Sequence, residues 1–262
     1  MGYRLQQTTA ALLFWRLSVV LSAAEASSIE LRTAAQRSAP KYFQQTESAA
    51  VQGLCVDILE AIQQQVANIR ISGYQQFLPS ARIYAALRSG ELDLFCGSGK
   101  TLERLQQLHY LMPPLYAVQH RLVARADDPV AVNSYADLRA LEDDGLVLTY
   151  LNSATHHFLL RQPGLRIDEG SNLDNLFERL LLGRGRFIYY HDLGLRHYID
   201  KHQLAAEVRM LPAVFNRYDH YLVASPLLSK ATLERLENAL QVLHDSGRLE
   251  QLHRRYVPIT AP

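Results

Sequence analysis

Leu92-Asp93-Leu94-Phe95-Cys96-Gly97-Ser98-Gly99-Lys100-Thr101-Leu102-Glu103-Arg104 decides how the chain is read. Leu92 to Phe95 is a short apolar run that predicts a buried strand, and the strand runs into a glycine-rich turn. Thr101 then opens a short helix that carries Arg104. Backbone N–H groups of the turn, the helix N-terminus and the guanidinium converge on one anion. Arg supplies the forked geometry that suits a carboxylate. The alternative is a surface Arg paired with Glu103 or Glu91. Gly99-Lys100-Thr101 matches the tail of a phosphate-binding loop, but Leu94 stands where that loop needs its first Gly, and Pro113-Pro114 cut the next helix short. A nucleotide site is therefore excluded. A serine-hydrolase elbow is excluded too, because Cys96 occupies its first Gly position.

Working outward, strand-like runs alternate with helical ones. Ile29 to Thr33, Leu146 to Leu151, Phe187 to Tyr190 and Tyr218 to Ala224 read as strands. Val56 to Ile69 reads as a helix with Leu59, Ile62, Val66 and Ile69 on one face. Ile83 to Leu87 continues a helix ended by Ser89-Gly90. Ser134 caps a helix through Leu141, and Asn152-Ser153 cap another. Leu173 to Leu182 is stopped by Gly183. Leu233 to Leu243 is ended by Asp245-Ser246-Gly247, and a last amphipathic helix reaches Tyr256. This alternation predicts an α/β fold with mainly parallel sheets. Ligands bind such sheets beyond the strand C-termini. Two places qualify, Cys96 to Thr101 and Leu151 to Thr155, one in each half of the chain. They predict two lobes facing a cleft.

The chain has 262 residues, 27 Lys+Arg, 26 Asp+Glu and a net charge of +1. That balance argues against a nucleic-acid partner. At 48% hydrophobic content the chain has enough apolar residues to bury a core. Residues 1–26 read as a signal peptide: Arg4, an apolar run from Ala10 to Leu21 broken by Arg16, and Ala24-Glu25-Ala26 as the cleavage site. The alternative is an amphipathic N-terminal helix. Cleavage removes two Arg and one Glu and leaves the mature chain neutral. The ten His show no metal-binding spacing, so no metal and no cofactor are expected. In an exported protein the two cysteines favour a Cys55–Cys96 disulfide, because Cys55 opens a helix and Cys96 ends a strand. The alternative is two buried thiols.

Gly97 to Arg104 resembles the G-x-x-x-T-P-E-R signature of family 3 extracellular solute-binding proteins, polar amino-acid type. Pro40-Lys41-Tyr42-Phe43 resembles that family's early proline-aromatic turn, and Gly53-Leu54-Cys55-Val56-Asp57-Ile58 its G-F-x-V-D-L. Leu87 to Asp93 resembles L-x-x-G-x-x-D, and Tyr110 to Tyr116 resembles the F-S-x-P-Y segment. Asp137-Leu138, Asn152-Ser153-Ala154, Gly183-Arg184 and the segment from Asp245 to Tyr256 follow in the family's order. The resemblance spans roughly residues 28 to 256. It implies a two-lobe type II periplasmic-binding fold with a central cleft and two hinge crossings. Lobe one would comprise residues 27–118 and 222–262, and lobe two residues 119–221.

The resemblance also implies roles. Arg104 would clamp a ligand carboxylate, while Gly97, Gly99 and Thr101 offer N–H or hydroxyl groups. Asn152, Ser153 and Ala154 would donate from lobe two, and Tyr42 would wall the pocket. Some positions depart from the family. Arg186 replaces its usual Asp, and the acid that grips an α-ammonium falls at His191, with Asp192 beside it. Arg82 offers a second cation near the cleft. The expected function is a monomeric periplasmic binder that passes a small carboxylate-bearing ligand to a membrane ABC permease. It is not read as an enzyme. Two alternatives stand: a dehydratase-like enzyme using Glu103, Asp192 or Asp93, and a sensory binder with no transport role.

Overall fold

The computed structural model describes residues 1–2, 28–151 and 153–257. Apart from Met1 and Gly2, the expected leader lies outside the described residues, as does Asn152. The chain opens with β1 (Ile29–Arg32), α1 (Leu54–Gln65), β2 (Ile69–Ser72), α2 (Ser80–Ser89), β3 (Leu94–Gly99), α3 (Leu102–Gln107) and β4 (His109–Tyr110). β5 (Tyr116–Arg125) leads on to α4 (Tyr135–Ala140), β6 (Val147–Tyr150), α5 (Ala154–Leu159), β7 (Ile167–Gly170) and α6 (Leu173–Leu181). β8 (Phe187–His191), α7 (Asp192–Lys201) and β9 (Val208–Met210) follow. β10 (Asn216–Ala224) then returns to α8 (Lys230–Asp245) and α9 (Arg248–Arg254).

Two lobes result, each with its own apolar interior. One interior joins residues from Leu31 to Val118 with residues from Tyr221 to Leu252, and takes in Leu193 from the other lobe. The other lobe takes residues from Leu122 to Leu211 and covers both faces of a sheet. Alternation along its strands produces that arrangement. Val123, Leu148, Ile188 and Tyr190 pack on one face, with Leu176 and Phe177 of α6. Leu122, Val147, Phe187 and Tyr189 pack on the other, with Leu138 of α4. Successive side chains of a strand point to opposite faces, so these runs are apolar throughout.

β5 and β10 join the lobes. Tyr116 to His120 pair antiparallel with Asn216 to His220. Beyond His120, β5 pairs with β8 and β9 of the second lobe. Beyond His220, β10 pairs with β3 and β4 of the first. The sheets are therefore mixed, which corrects the expectation of mainly parallel pairing. β6 is parallel to β7 and β8, and β1 to β2. A chain that leaves a lobe and returns beside its own exit must run in the opposite direction, and this supplies the antiparallel pairs.

The first helix also differs from expectation. It ends at Gln65, because Asn68 adopts a left-handed φ of 58° and Ile69 pairs with Ile29 in a strand. At its start, the Leu54 and Cys55 N–H groups donate to the Pro40 and Lys41 carbonyls. Gly53, at φ 134°, allows this approach, since a Cβ there would sit 2.4 Å from the Lys41 oxygen. Arg186, at the family's usual Asp position, grips Asp128 at 2.7 and 3.0 Å. The guanidinium holds the Asp128 carboxyl below its ordinary pKa.

The expected Cys55–Cys96 disulfide is not present. Both cysteines are free and fully buried. Cys96 lies within β3, and Cys55 Sγ stands 3.7 Å from Tyr116 Oη. Thiol titration without reductant will find none accessible in the folded protein and two after denaturation. None after denaturation would contradict the free pair.

Candidate ligand cleft

A cavity of about 460 Å³ opens between the lobes. That volume suits a small ligand. Its first-lobe wall is built on the end of β3. Gly97 sits at φ 86°, where a Cβ would stand 2.8 Å from Tyr116 Oη and 2.9 Å from Cys55 Sγ. The Gly97 carbonyl accepts from Lys41 Nζ at 3.3 Å. The Gly99 carbonyl accepts from Tyr110 Oη at 2.9 Å, and from Arg104 Nη1 and Ser98 Oγ at 3.3 Å. Both carbonyls are thus already occupied by donors.

Arg104 lines the cavity. Its guanidinium carbon lies 3.9 Å from the centre of the Tyr84 ring, a cation–π distance. Tyr84 is fixed in turn by Ser98 Oγ at 2.9 Å. Among the described residues no carboxylate pairs with Arg104. The surface-pair alternative fails because Glu91 is held by Arg82 at 2.6 Å.

The remaining expected residues divide. Gly97, Gly99, Ser153, Ala154 and His191 line the cavity. Ser153 also caps α5, accepting from His156 N at 3.0 Å. Four expected residues do not line it. Thr101 is exposed and spends its hydroxyl capping α3 through Arg104 N. Arg82 points to solvent with Glu91, so it is not the cleft's second cation. Tyr42 is buried behind the wall, donating to the Cys96 carbonyl at 3.2 Å and stacked on Phe95. Asp192 accepts from Gln119 N and Leu193 N, both at 2.9 Å, and so ties α7 to the crossing strand β5.

Lys41 and Arg37 are the cations that the sequence reading missed. Lys41 is 5% exposed, lines the cavity and donates to Gln36 Oε1 at 3.2 Å. Burial lowers its pKa. The Pro40-Lys41-Tyr42 turn marks its place, but only the contact with Gly53 puts it inside. Arg37 lies at the exposed edge, with its guanidinium carbon 4.7 Å from the Phe77 ring centre. His220 and Tyr218 of β10 also line the cavity. Among the described lining residues there is no Asp or Glu.

The imidazoles of the cleft and hinge are held neutral. His191 caps α7, its Nδ1 accepting from Gly194 N at 3.0 Å. Burial pushes His191 and His220 well below the ordinary imidazole value, and His120, in the hinge, down to about 3. A neutral ring that accepts at Nδ1 carries its proton on Nε2. His191 lines the cavity with Nε2–H as its remaining donor.

The profile of the bacterial extracellular solute-binding proteins, family 3, matches residues 31–259. The chain belongs to that family. No curated protein matches it by sequence. Solved structures of the fold do. The probable amino-acid ABC transporter extracellular-binding protein ytmK from Bacillus subtilis is 12% identical, with a TM-score of 0.76 over 90% of this chain and 100% of that one. An ancestral arginine-binding protein bound to glutamine is 20% identical, with a TM-score of 0.69 over 87% of this chain and 97% of that one. An ancestral amino acid-binding protein described as a precursor of cyclohexadienyl dehydratase is 17% identical, with a TM-score of 0.70 over 87% and 94%. At such identities the likeness establishes the two-lobe type II fold. Among the described residues no helix is long and apolar enough to cross a membrane, and no His, Cys, Asp and Glu group is arranged to hold a metal.

Neutral buried imidazoles make stability depend on pH. On unfolding they regain their ordinary pKa of 6.5 and take up protons that the folded rings exclude. Their contribution is complete above about pH 6.5 and is lost as the pH falls, in the case of His120 down to about 3. Each ring adds a slope of up to about 1.4 kcal/mol per pH unit. Urea denaturation will show a lower midpoint at about pH 5.5 than at about pH 7.5. An unchanged midpoint would contradict buried neutral rings.

Proposed function

We propose that this protein captures a small carboxylate-bearing solute in its cleft and delivers it to a membrane ABC permease. In this reading it works as a monomer outside the cytoplasm, after a leader over residues 1–26 is removed. Residues 27–118 and 222–262 form lobe one, and residues 119–221 form lobe two. The carrying observation is Arg104, a guanidinium in the cavity wall that is stacked on Tyr84 and, among the described residues, pairs with no carboxylate. A carboxylate against Arg104 gains a charge-assisted, forked contact. Ser153 and Ala154 face it from lobe two, so one ligand touches both lobes and favours their closure about β5 and β10.

The dehydratase alternative has less support. It calls for a cleft carboxylate to move a proton. Asp93 is paired with Arg32 at 2.9 Å, Asp192 is bound to two backbone N–H groups, and Glu103 lies on the exposed face of α3. Those groups are placed to hold the structure rather than to face a substrate.

A thermal-shift panel of amino acids and small organic acids will raise the melting temperature with at least one carboxylate. Arg104→Ala will weaken that ligand by about 2–5 kcal/mol, read as the change in Kd by calorimetry. No hit across the panel, or a hit indifferent to Arg104→Ala, would remove the clamp.

A further inference from the structure

We infer that the cleft selects a small dicarboxylate bearing an oxygen, not an ammonium, beside the clamped carboxylate: a 2-oxo or 2-hydroxy diacid. This rests on the reading of Arg104 as the carboxylate clamp. Three observations carry it.

The first is the charge of the wall. Arg37, Lys41 and Arg104 line the cavity, and no Asp or Glu does among the described lining residues. Among the described residues Lys41 is bonded to neutral oxygens, those of Gln36 and Gly97. A buried cation without a counter-ion is costly, and a second ligand carboxylate supplies one.

The second is the want of acceptors. An α-ammonium brings three N–H donors that need oxygen partners. At the end of β3 the Gly99 carbonyl carries Arg104, Tyr110 and Ser98, and the Gly97 carbonyl, which already accepts from Lys41, has one lone pair left beside that cation. Asp192 is turned to the N–H groups of Gln119 and Leu193. An ammonium entering this wall meets three cations and, among the described lining residues, no carboxylate.

The third is the direction of His191. Its Nδ1 is held by Gly194 N, so Nε2–H is the polar atom left for a ligand. A donor there receives a ketone, a hydroxyl or a carboxylate oxygen and repels N–H. Substituting Asp reverses the polarity and preserves the cap, since Asp is also a preferred N-cap residue.

Calorimetry on the purified full-length protein with the matched pair 2-oxoglutarate and glutamate, and with 2-hydroxyglutarate, tests this. The two oxygen-bearing acids are expected to bind about a hundredfold or more tighter than glutamate, the penalty for an ammonium placed among cations and donors. His191→Asp, checked for folding by circular dichroism, is expected to weaken 2-oxoglutarate and admit glutamate. Equal binding of glutamate and 2-oxoglutarate by the wild type overturns the inference and leaves the carboxylate clamp standing. So does a hit confined to monocarboxylates. An unchanged preference in a folded His191→Asp protein overturns it as well. Failure of every carboxylate to bind removes the inference and the clamp together.

Discussion

The antiparallel pairing of Tyr116–His120 with Asn216–His220 is the constraint on which the rest depends. Above it β5 belongs to one lobe, and below it β10 belongs to the other. Each lobe has its own apolar interior, with Leu193 of α7 reaching across into the first, so a change of angle at the crossing leaves most of both interiors packed. The crossing also places chemistry. His220 and Tyr218 stand on it and face the cleft, while Asp192 is tied to it through Gln119 N. Asp192 spends its Oδ1 on the hinge and does not line the cavity.

The cleft is built from donors that are satisfied locally on one side and open on the other. Arg104 is braced by Gly99 and Tyr84, Lys41 by Gly97 and Gln36, and His191 by Gly194. Such bracing lowers the entropy that a ligand must remove on binding, which is the general benefit of preorganisation. Gly97 makes the arrangement possible. Its left-handed backbone lets Lys41 Cδ approach to 3.0 Å of the place a Cβ would occupy, beside Tyr116 and Cys55.

Much of this was legible in the sequence, for definite reasons. Gly90 and Ser134 end and cap helices by local backbone rules, and both do so in the structure. The order of loose motifs from Gly53 to Tyr256 carried the fold, although no single motif was decisive. Arg104 was found because glycines, a cap and a guanidinium lay together in sequence, although Gly97 to Gly99 belong to β3 rather than to the expected turn. Lys41 was missed because its burial depends on Gly53, twelve positions away, admitting α1 against the Pro40 turn. Arg82 was misplaced because helix periodicity does not say which face meets the cleft, and its partner Glu91 lies in the next turn of chain. β5 escaped notice because Gln119, His120 and Arg121 interrupt its apolar residues where it passes between lobes. The disulfide expectation failed because the alternative of two buried thiols holds, and spacing in the sequence does not separate the two.

The most direct test of the central claim is a crystal structure with 2-oxoglutarate bound. A ligand carboxylate will lie within hydrogen-bond distance of the Arg104 guanidinium, with the second lobe in contact through Ser153 or Ala154 and His191 Nε2 on the C2 oxygen. A ligand held by one lobe only, or seated away from Arg104, would contradict the account.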